Sequence, residues 1–263
     1  MIADLHIHTT ASDGKYSPKE AVRWAKNNGI EVMSVTDHDS VDGLNEARAE
    51  ADILGIKFVD GIEISALADS EVHVLGYNID YKNPDFAKDL KSVKDMRRAR
   101  NVEIGRRLAN YGVKLDINFE DDGLGRMNIA RAMVDGGYVK DISDAFDRYL
   151  GLGGKAYCAS RRITPKQAVE LIVKYGGFAS LAHPKRYLLD KRLDKMLSEL
   201  APLGLRGLEV NYPSHFDSDK DALRKECKKY NLLPTGGSDF HGEDDRHFAF
   251  NLDMRLIATL QIQ

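Results

Sequence analysis

Histidine and carboxylate side chains recur in this chain wherever a short apolar run ends. His6 and His8 close the run "MIADLHIH", and Asp13 follows in "TTASDG". His38 stands in "TDHD", Glu63 in "FVDGIEIS", His73 in "EVHVLGY" and His183 after "FASLA"; Asp239 and His241 fall in "GSDFH". These are six of the eight histidines, with three acids beside them. Imidazole and carboxylate without thiolate suit Zn, Mn or Fe and do not choose among them. One ion rarely takes more than ~6 ligands, and a catalytic ion keeps positions open. Nine donors therefore suggest two or three divalent ions. A lone strand-end histidine is ordinarily no more than a polar residue at the rim of the core. Six such coincidences, with acids alongside, favour a metal centre. His215, in "NYPSHF", follows another strand end and is divided between a site role and none. His247, in the acidic "GEDDRHF", reads as a solvated loop residue.

The elements that must position these donors alternate between apolar runs and amphipathic helical patterns, as in βα units. "SPKEAVRWAKNNG" predicts a helix with Ser17 as N-cap, Pro18 at its first position, Glu20 completing a capping box and Gly29 ending it. "ITPKQAVELIVKYGG" repeats that grammar with Thr164, Pro165, Gln167 and Gly176. Repetition of such units predicts a βα barrel. If its strands are parallel, their C-terminal ends gather on one face, where such barrels carry their sites. His6 and His8 are two apart, so they share a strand face; Asp239 and His241 repeat that spacing. First and last strands are neighbours in a closed barrel, so the two ends of the chain would wall one cavity. From about Asp85 to Tyr157 the pattern is helical, which predicts a helical insertion at 85–157 on a barrel formed by 1–84 and 158–263. The C-terminal "NLDMRLIATLQIQ" offers no more than a possible final strand.

A length of 263 residues, 43% hydrophobic, supports a sizeable core. A net charge of −3 gives no global field toward nucleic acid or anionic lipid, so nucleic-acid chemistry would need a local basic patch and a short substrate. Cys158 and Cys227, far apart, argue for a reducing compartment and against a disulfide scaffold or a thiolate zinc site. "MIADLHIHTT" lacks the basic and apolar regions of a signal peptide. No window approaches the ~18 apolar residues of a membrane span. We expect a cytoplasmic protein, with no membrane association and no stable protein partner.

"DLHIHTTASDG", "TDHD", "GIEIS", "HVLGY", "AHP" and "GSDFHG" together resemble, in order, the motifs of the PHP (polymerase and histidinol phosphatase) family. The resemblance covers nearly the whole chain. It implies a distorted TIM-like (β/α)7 barrel and three metal ions. One ion would be held by His6, His8, Glu63 and Asp239, and a second by Asp13, His38 and His241. A third would be held by Glu63 as a bridge with His73 and His183. The inserted stretch from Gly125 to Tyr157 is similar to that of the subfamily of ribonuclease AM and nucleoside 3′,5′-bisphosphate phosphatases. There is one departure: the subfamily's G-R-x-H-x-A-R is Gly125-Arg126-Met127-Asn128-Ile129-Ala130-Arg131 in this chain. Asparagine hydrogen-bonds but does not titrate near neutral pH, so this side chain does not transfer a proton as a histidine there would.

The long helix adds a separate clue. Its apolar stripe runs Phe86, Leu90, Val93, Ile104, Leu108 and Tyr111, and the register between them falls on Arg97 and Arg100. Charges on an inward stripe need partners or a cavity. Phosphate is one partner suited to the guanidinium fork; an ion pair with Asp121 or Asp122 is the other. Arg126, placed near a helix N-terminus, Arg131 and Arg186 are further candidates for substrate phosphate. Tyr187 either stacks on a base or covers the core.

The reading is phosphoester hydrolysis. A water held by the ions would lose its proton and attack phosphorus in line, with the ions and arginines stabilising the equatorial oxygens. His215 is a candidate to protonate the leaving alkoxide. The resemblance implies a nucleotide with a 5′-phosphate and a 3′-phosphoester, either a free 3′,5′-bisphosphate or a short 5′-phosphorylated RNA taken from its 5′ end. Alternatives are a histidinol-phosphate or other small-molecule phosphatase, an amidohydrolase, and a non-catalytic metal-binding module.

Overall fold

The computed structural model describes residues 1–121, 123–158, 162–186, 190–242 and 248–262. The chain forms two compact units, Met1–Asp89 with Ile163–Gln263, and Leu90–Arg162.

In the first unit, β1 (Ile2–Ile7), β2 (Val32–Val35), β3 (Lys57–Leu67), β4 (Glu71–Tyr77), β5 (Phe178–Leu181), β6 (Leu205–Asn211), β7 (Leu233–Gly236) and β8 (Phe250–Asn251) form one sheet. Its order is β7-β6-β5-β4-β3-β2-β1-β8. The residues after β7 bring its edge against β1. Asp239 N donates to His6 O and His8 N donates to Phe240 O, each at 2.9 Å, which nearly closes a barrel. The expected adjacency of the first and last wall of the site is met by these bonds.

The strands are not all parallel. β4 pairs antiparallel with both β3 and β5. His73 therefore lies near the start of β4, and the reversed strand carries it to the face where its neighbours end. Strand direction is set by the connection, here only three residues between β3 and β4. Such a link makes a hairpin and is too short for a parallel crossover.

Helices α1 (Pro18–Asn27), α2 (Leu44–Leu54), α6 (Pro165–Lys174), α7 (Asp190–Leu200) and α8 (Asp217–Tyr230) accompany the strands. Both predicted capping boxes form. Glu20 N donates to Ser17 Oγ and Ser17 N to Glu20 Oε2, with the same exchange between Thr164 and Gln167. Each such cap stabilises its helix by ~1 kcal/mol. The core has two layers. Leu5, Val32, Leu75, Tyr77 and Phe178 fill one, and Met33 and Val35 meet Ala21, Val22, Leu44 and Ala47 in the other. Val32 and Met33 fall in different layers, as the strand period of two requires. The C-terminal segment is not a strand. Asp253 caps α9 (Met254–Thr259), whose Leu256, with Leu260 just after it, joins the first layer. Phe250–Asn251 before it form the short strand β8.

Helix α3 (Pro84–Asn110) begins in the first unit and runs on in the second. The second unit also holds α4 (Arg126–Asp135), α5 (Ile142–Ala145) and a π-helical turn over Phe146–Leu150. Ile104, Leu108, Ile129, Met133, Tyr149 and Leu150 form its core. The predicted stripe of α3 is buried except at its last member. Tyr111 is 53% exposed because the helix stops at Asn110 and the residue leaves the inward face.

Candidate metal centre

Nine side chains converge on the barrel face where β1 and β2 end. His6 is on β1 and His8 one residue beyond it; a register shift between Asp4 and Ile7 breaks the alternation of β1. Such bulges re-aim side chains beside active sites. His38 follows β2, and its backbone bridges to Glu63 in the middle of β3. His183 follows β5, and Asp239 and His241 follow β7. Three residues near the site, Asp39, His183 and Asp239, have φ of 51°, 26° and 56°. Non-glycine residues in this region cost ~1–3 kcal/mol each and persist where the surroundings over-determine them.

Glu63 is the centre of the cluster. Its Oε1 lies 3.0 Å from His73 Nδ1, 3.2 Å from His183 Nε2 and 3.3 Å from His6 Nε2. Its Oε2 lies 2.9 Å from His38 Nδ1 and 3.3 Å from His8 Nε2. Asp239 Oδ1 is 3.2 Å from His8 Nε2 and 3.4 Å from His6 Nε2. Asp13 lies 3.3 Å from His241 Nε2 and 3.8 Å from His38 Nε2.

Burial raises the Glu63 carboxyl, but the charges of His73, His6 and His38 outweigh it and hold the group well below the usual carboxylate range. The histidines near Asp13 and Asp239 likewise hold those groups well below it, against burial. Burial opposes protonation of His8, yet the carboxylates of Asp239, Glu63 and Asp13 beside it lift it to about 10. His73 rises to about 9 against burial, through Glu63 and Glu71. In His38 burial prevails and lowers it to about 4.

The donor set fits divalent cations. Among the described residues, His6 Nε2, both ring nitrogens of His8 and Glu63 Oε2 are buried with neighbouring polar atoms 2.9–3.6 Å away but in no well-directed hydrogen bond, an expensive state for a protein interior. Donor atoms within 4.8 Å of one another form three groups: His8, Asp13, His38 and His241; His6, Glu63, His183 and Asp239; His38, Glu63 and His73. This partition differs from the one the resemblance implies. His8 falls with Asp13, and His183 with His6, while Glu63 and His38 each belong to two groups.

Supporting residues escaped the sequence reading. Glu209 on β6 accepts from His6 Nδ1 at 3.0 Å and from the His183 backbone N–H at 2.7 Å. Asp4, raised to about 7 by burial, accepts from Ser238 Oγ and N at 2.6 and 2.9 Å. Asp37 accepts from Thr9 Oγ1 and Ser12 Oγ, each at 2.6 Å, and so shapes the loop carrying Asp13. Tyr212 donates to Asp239 Oδ2 at 3.0 Å. The available signal was an acid inside an apolar strand, as in "LRGLEVNYP" and "IADLHI".

His215 is 4% exposed, and its Nδ1 donates to Val210 O at 3.0 Å. Its ring centre is 5.1 Å from that of Tyr212, so it stands one side chain from Asp239. Its Nε2 is buried without a hydrogen-bond partner among the described residues. Arg97, Arg100, Arg126 and Arg131 lie in the second unit. Arg97 and Arg100 are buried, 4% and 3% exposed, and Arg100 donates through Nε and Nη2 to Asn101 Oδ1. Arg126 is the first residue of α4, donates to Leu150 O and stacks on Phe146. Asn128 Oδ1 accepts from Gly125 N at 2.7 Å, so the residue that departs from the subfamily pattern caps α4. The Arg186 side chain, Asp122, Tyr187 and His247 lie outside the described residues.

A model of the PHP domain matches residues 4–196. The chain is 34% identical over 244 residues to a 5′-3′ exoribonuclease of Haemophilus influenzae, spanning 90% of this chain and 89% of that one. It is 33% identical over 261 residues to a 3′,5′-nucleoside bisphosphate phosphatase of Chromobacterium violaceum, spanning 95% and 92%. A solved structure from Chromobacterium violaceum, described as an amidohydrolase with bound sulfate and no metal, superposes with a TM-score of 0.90 at 30% identity, covering 98% and 95% of the two chains.

Proposed function

The chain belongs to the PHP domain family of metal-dependent phosphoesterases, and from that premise we propose that it hydrolyses the 3′-phosphoester of nucleotides carrying a 5′-phosphate. Substrates in this reading are free nucleoside 3′,5′-bisphosphates and short 5′-phosphorylated RNA, degraded from the 5′ end. The gathering of nine candidate donor side chains into three overlapping groups carries the reading, and the names of the two relatives support the substrate class.

His6, His8, Asp13, His38, Glu63, His73, His183, Asp239 and His241 would hold two or three divalent ions, Mn, Fe or Zn. When bound, these supply Lewis acidity toward phosphoryl oxygen and lower the pKa of water. The protein's own groups do the rest. Glu209 and Tyr212 hold His6 and Asp239 in place. His215 keeps its Nδ1–H on Val210 O in either charge state, so Nε2 is the atom that takes up and returns a proton. We assign it the protonation of the leaving alkoxide. Arg97, Arg100, Arg126, Arg131 and Arg186 are the proposed contacts for substrate phosphate, which guanidinium binds in bidentate fashion.

The test is phosphate release from adenosine 3′,5′-bisphosphate beside histidinol phosphate in Mn²⁺, with His8→Ala as control. Release from the bisphosphate, abolished in the control, supports the reading. Release from histidinol phosphate alone reassigns the substrate. Silence on both, with metal bound, removes the substrate assignment and leaves the metal centre.

A further inference from the structure

A cavity of about 680 Å³ opens at the end of the barrel remote from the metal centre. Lys57 and Phe58 at the start of β3, Asn78 just after the antiparallel β4, Phe178 at the start of β5 and Arg206 near the start of β6 line it. Phe178 opens β5 and His183 lies two residues beyond its end, so the length of that strand alone puts ~10 Å between the two sites. Glu63 is likewise six residues beyond Lys57 on β3.

The lining is cationic. Arg48, Lys57 and Arg206 face it, with Asp52 as the acid among the lining residues. The two guanidiniums lie over phenyl rings, Arg48 at 5.3 Å from Phe58 and Arg206 at 5.6 Å from Phe178. A guanidinium held by its face on a ring keeps N–H groups at its edge for an anion. Arg48 is already paired with Asp60. Among the described residues, no carboxylate lies within ion-pair distance of Lys57 or Arg206, and the Lys57 ammonium contacts only Met1 Sδ. Asn78 Nδ2 donates to Leu260 O at 2.8 Å and ties down the C-terminal wall. The volume lies in the ~300–1,000 Å³ range of small-molecule sites, larger than a single inorganic anion needs.

We propose that this cavity is a second anion site, for a small phosphorylated molecule with at least two negative charges, separate from the hydrolytic centre. Lys57 and Arg206 grip the phosphate groups, and the wall of Phe58, Phe178 and Ile262 takes the remainder of the ligand.

The experiment reads the site by position. The metal-loaded full chain is treated with an amine-reactive reagent, and modification of each lysine is followed by mass spectrometry. The probe is adenosine 5′-diphosphate, with adenosine as the uncharged control. The expected result is a severalfold slowing at Lys57 with the diphosphate, none with adenosine, and loss of the protection in Arg206→Gln. Arg206 lies on the exposed start of β6, outside the donor groups of the metal centre. No slowing at Lys57, equal slowing by adenosine, or protection that survives in Arg206→Gln would each overturn the proposal. Occupancy of the metal centre by the same probe does not touch this readout.

Discussion

Glu209 accepts the ring Nδ1–H of His6 at 3.0 Å with one oxygen and the backbone N–H of His183 at 2.7 Å with the other. One buried carboxylate thus orients donors from β1 and from the end of β5. Glutamine at this position keeps the volume but has one accepting oxygen. Its NH₂ would face a second donor, leaving a buried N–H unsatisfied at a cost of ~1–3 kcal/mol. Partners of this kind contribute ~10–100-fold in metal affinity. Glu209→Gln should therefore weaken Mn²⁺ binding within that range while leaving the barrel folded. Unchanged affinity in a direct metal titration would show that Glu209 serves packing alone.

Metal uptake should release protons and strengthen with pH. In the metal-free protein His8 titrates at about 10 and His73 at about 9, so both are protonated at neutral pH and must lose that proton to ligate. His38, at about 4, is already neutral. The same shifts fix the stability of the metal-free form. Because the folded values of His8 and His73 lie above the ordinary 6.5, their contribution is complete below pH 6.5 and is lost as pH rises through 9 to 10. Asp13, Glu63 and Asp239 are shifted down, so their contribution is present above the ordinary carboxylate range and lost in acid. Chelator-treated protein should melt at lower temperature at pH 10 than at pH 6.5. Calorimetric titration with Mn²⁺ in two buffers of different ionisation enthalpy should report proton release. Buffer-independent heats would contradict the protonated cluster.

Gly237 should tolerate no side chain. A Cβ at that position would stand 2.3 Å from His6 Cβ and 2.5 Å from His6 N. Both obstacles belong to the donor-bearing strand, so relief requires β1 and the end of β7 to separate. Overpacking of this type costs ~1–3 kcal/mol or more. Gly237→Ala should lower the melting temperature of the metal-free protein and also weaken metal binding, because His6 moves. Thermal unfolding and metal titration of the same sample separate the two effects. Full affinity with lowered stability would place the strain away from His6.

The nine donors were legible because histidines next to strand-ending turns are chemically rare and recur in "DLHIHTT", "TDHD" and "GSDFH". The capping boxes at Ser17 and Thr164 were legible because they are local. The reversal of β4 was not, since an apolar run has no direction until its connection is built. Glu209 was invisible for a related reason: a single acid in an apolar strand has no period, and only the fold shows that it meets His6. The helix at Met254–Thr259 is too short for a period of 3.6 to emerge, and Asp253 as its cap was the available clue.

His215 offers a separation of chemistry from metal binding. Its Nδ1 is committed to Val210 O, and its buried Nε2 lies one aromatic ring away from Asp239. It belongs to none of the three donor groups. Asparagine has an amide that can still donate to Val210 O but cannot carry a proton to a leaving group. Positioned general acids contribute ~10²–10⁴-fold. His215→Asn should lower kcat on adenosine 3′,5′-bisphosphate by at least ~100-fold with metal content unchanged. An activated substrate such as a p-nitrophenyl phosphodiester, whose leaving group departs without protonation, should lose far less. If both substrates slow equally, His215 positions Tyr212 and Asp239 and transfers no proton. If metal content falls as well, the residue belongs to the scaffold of the metal centre.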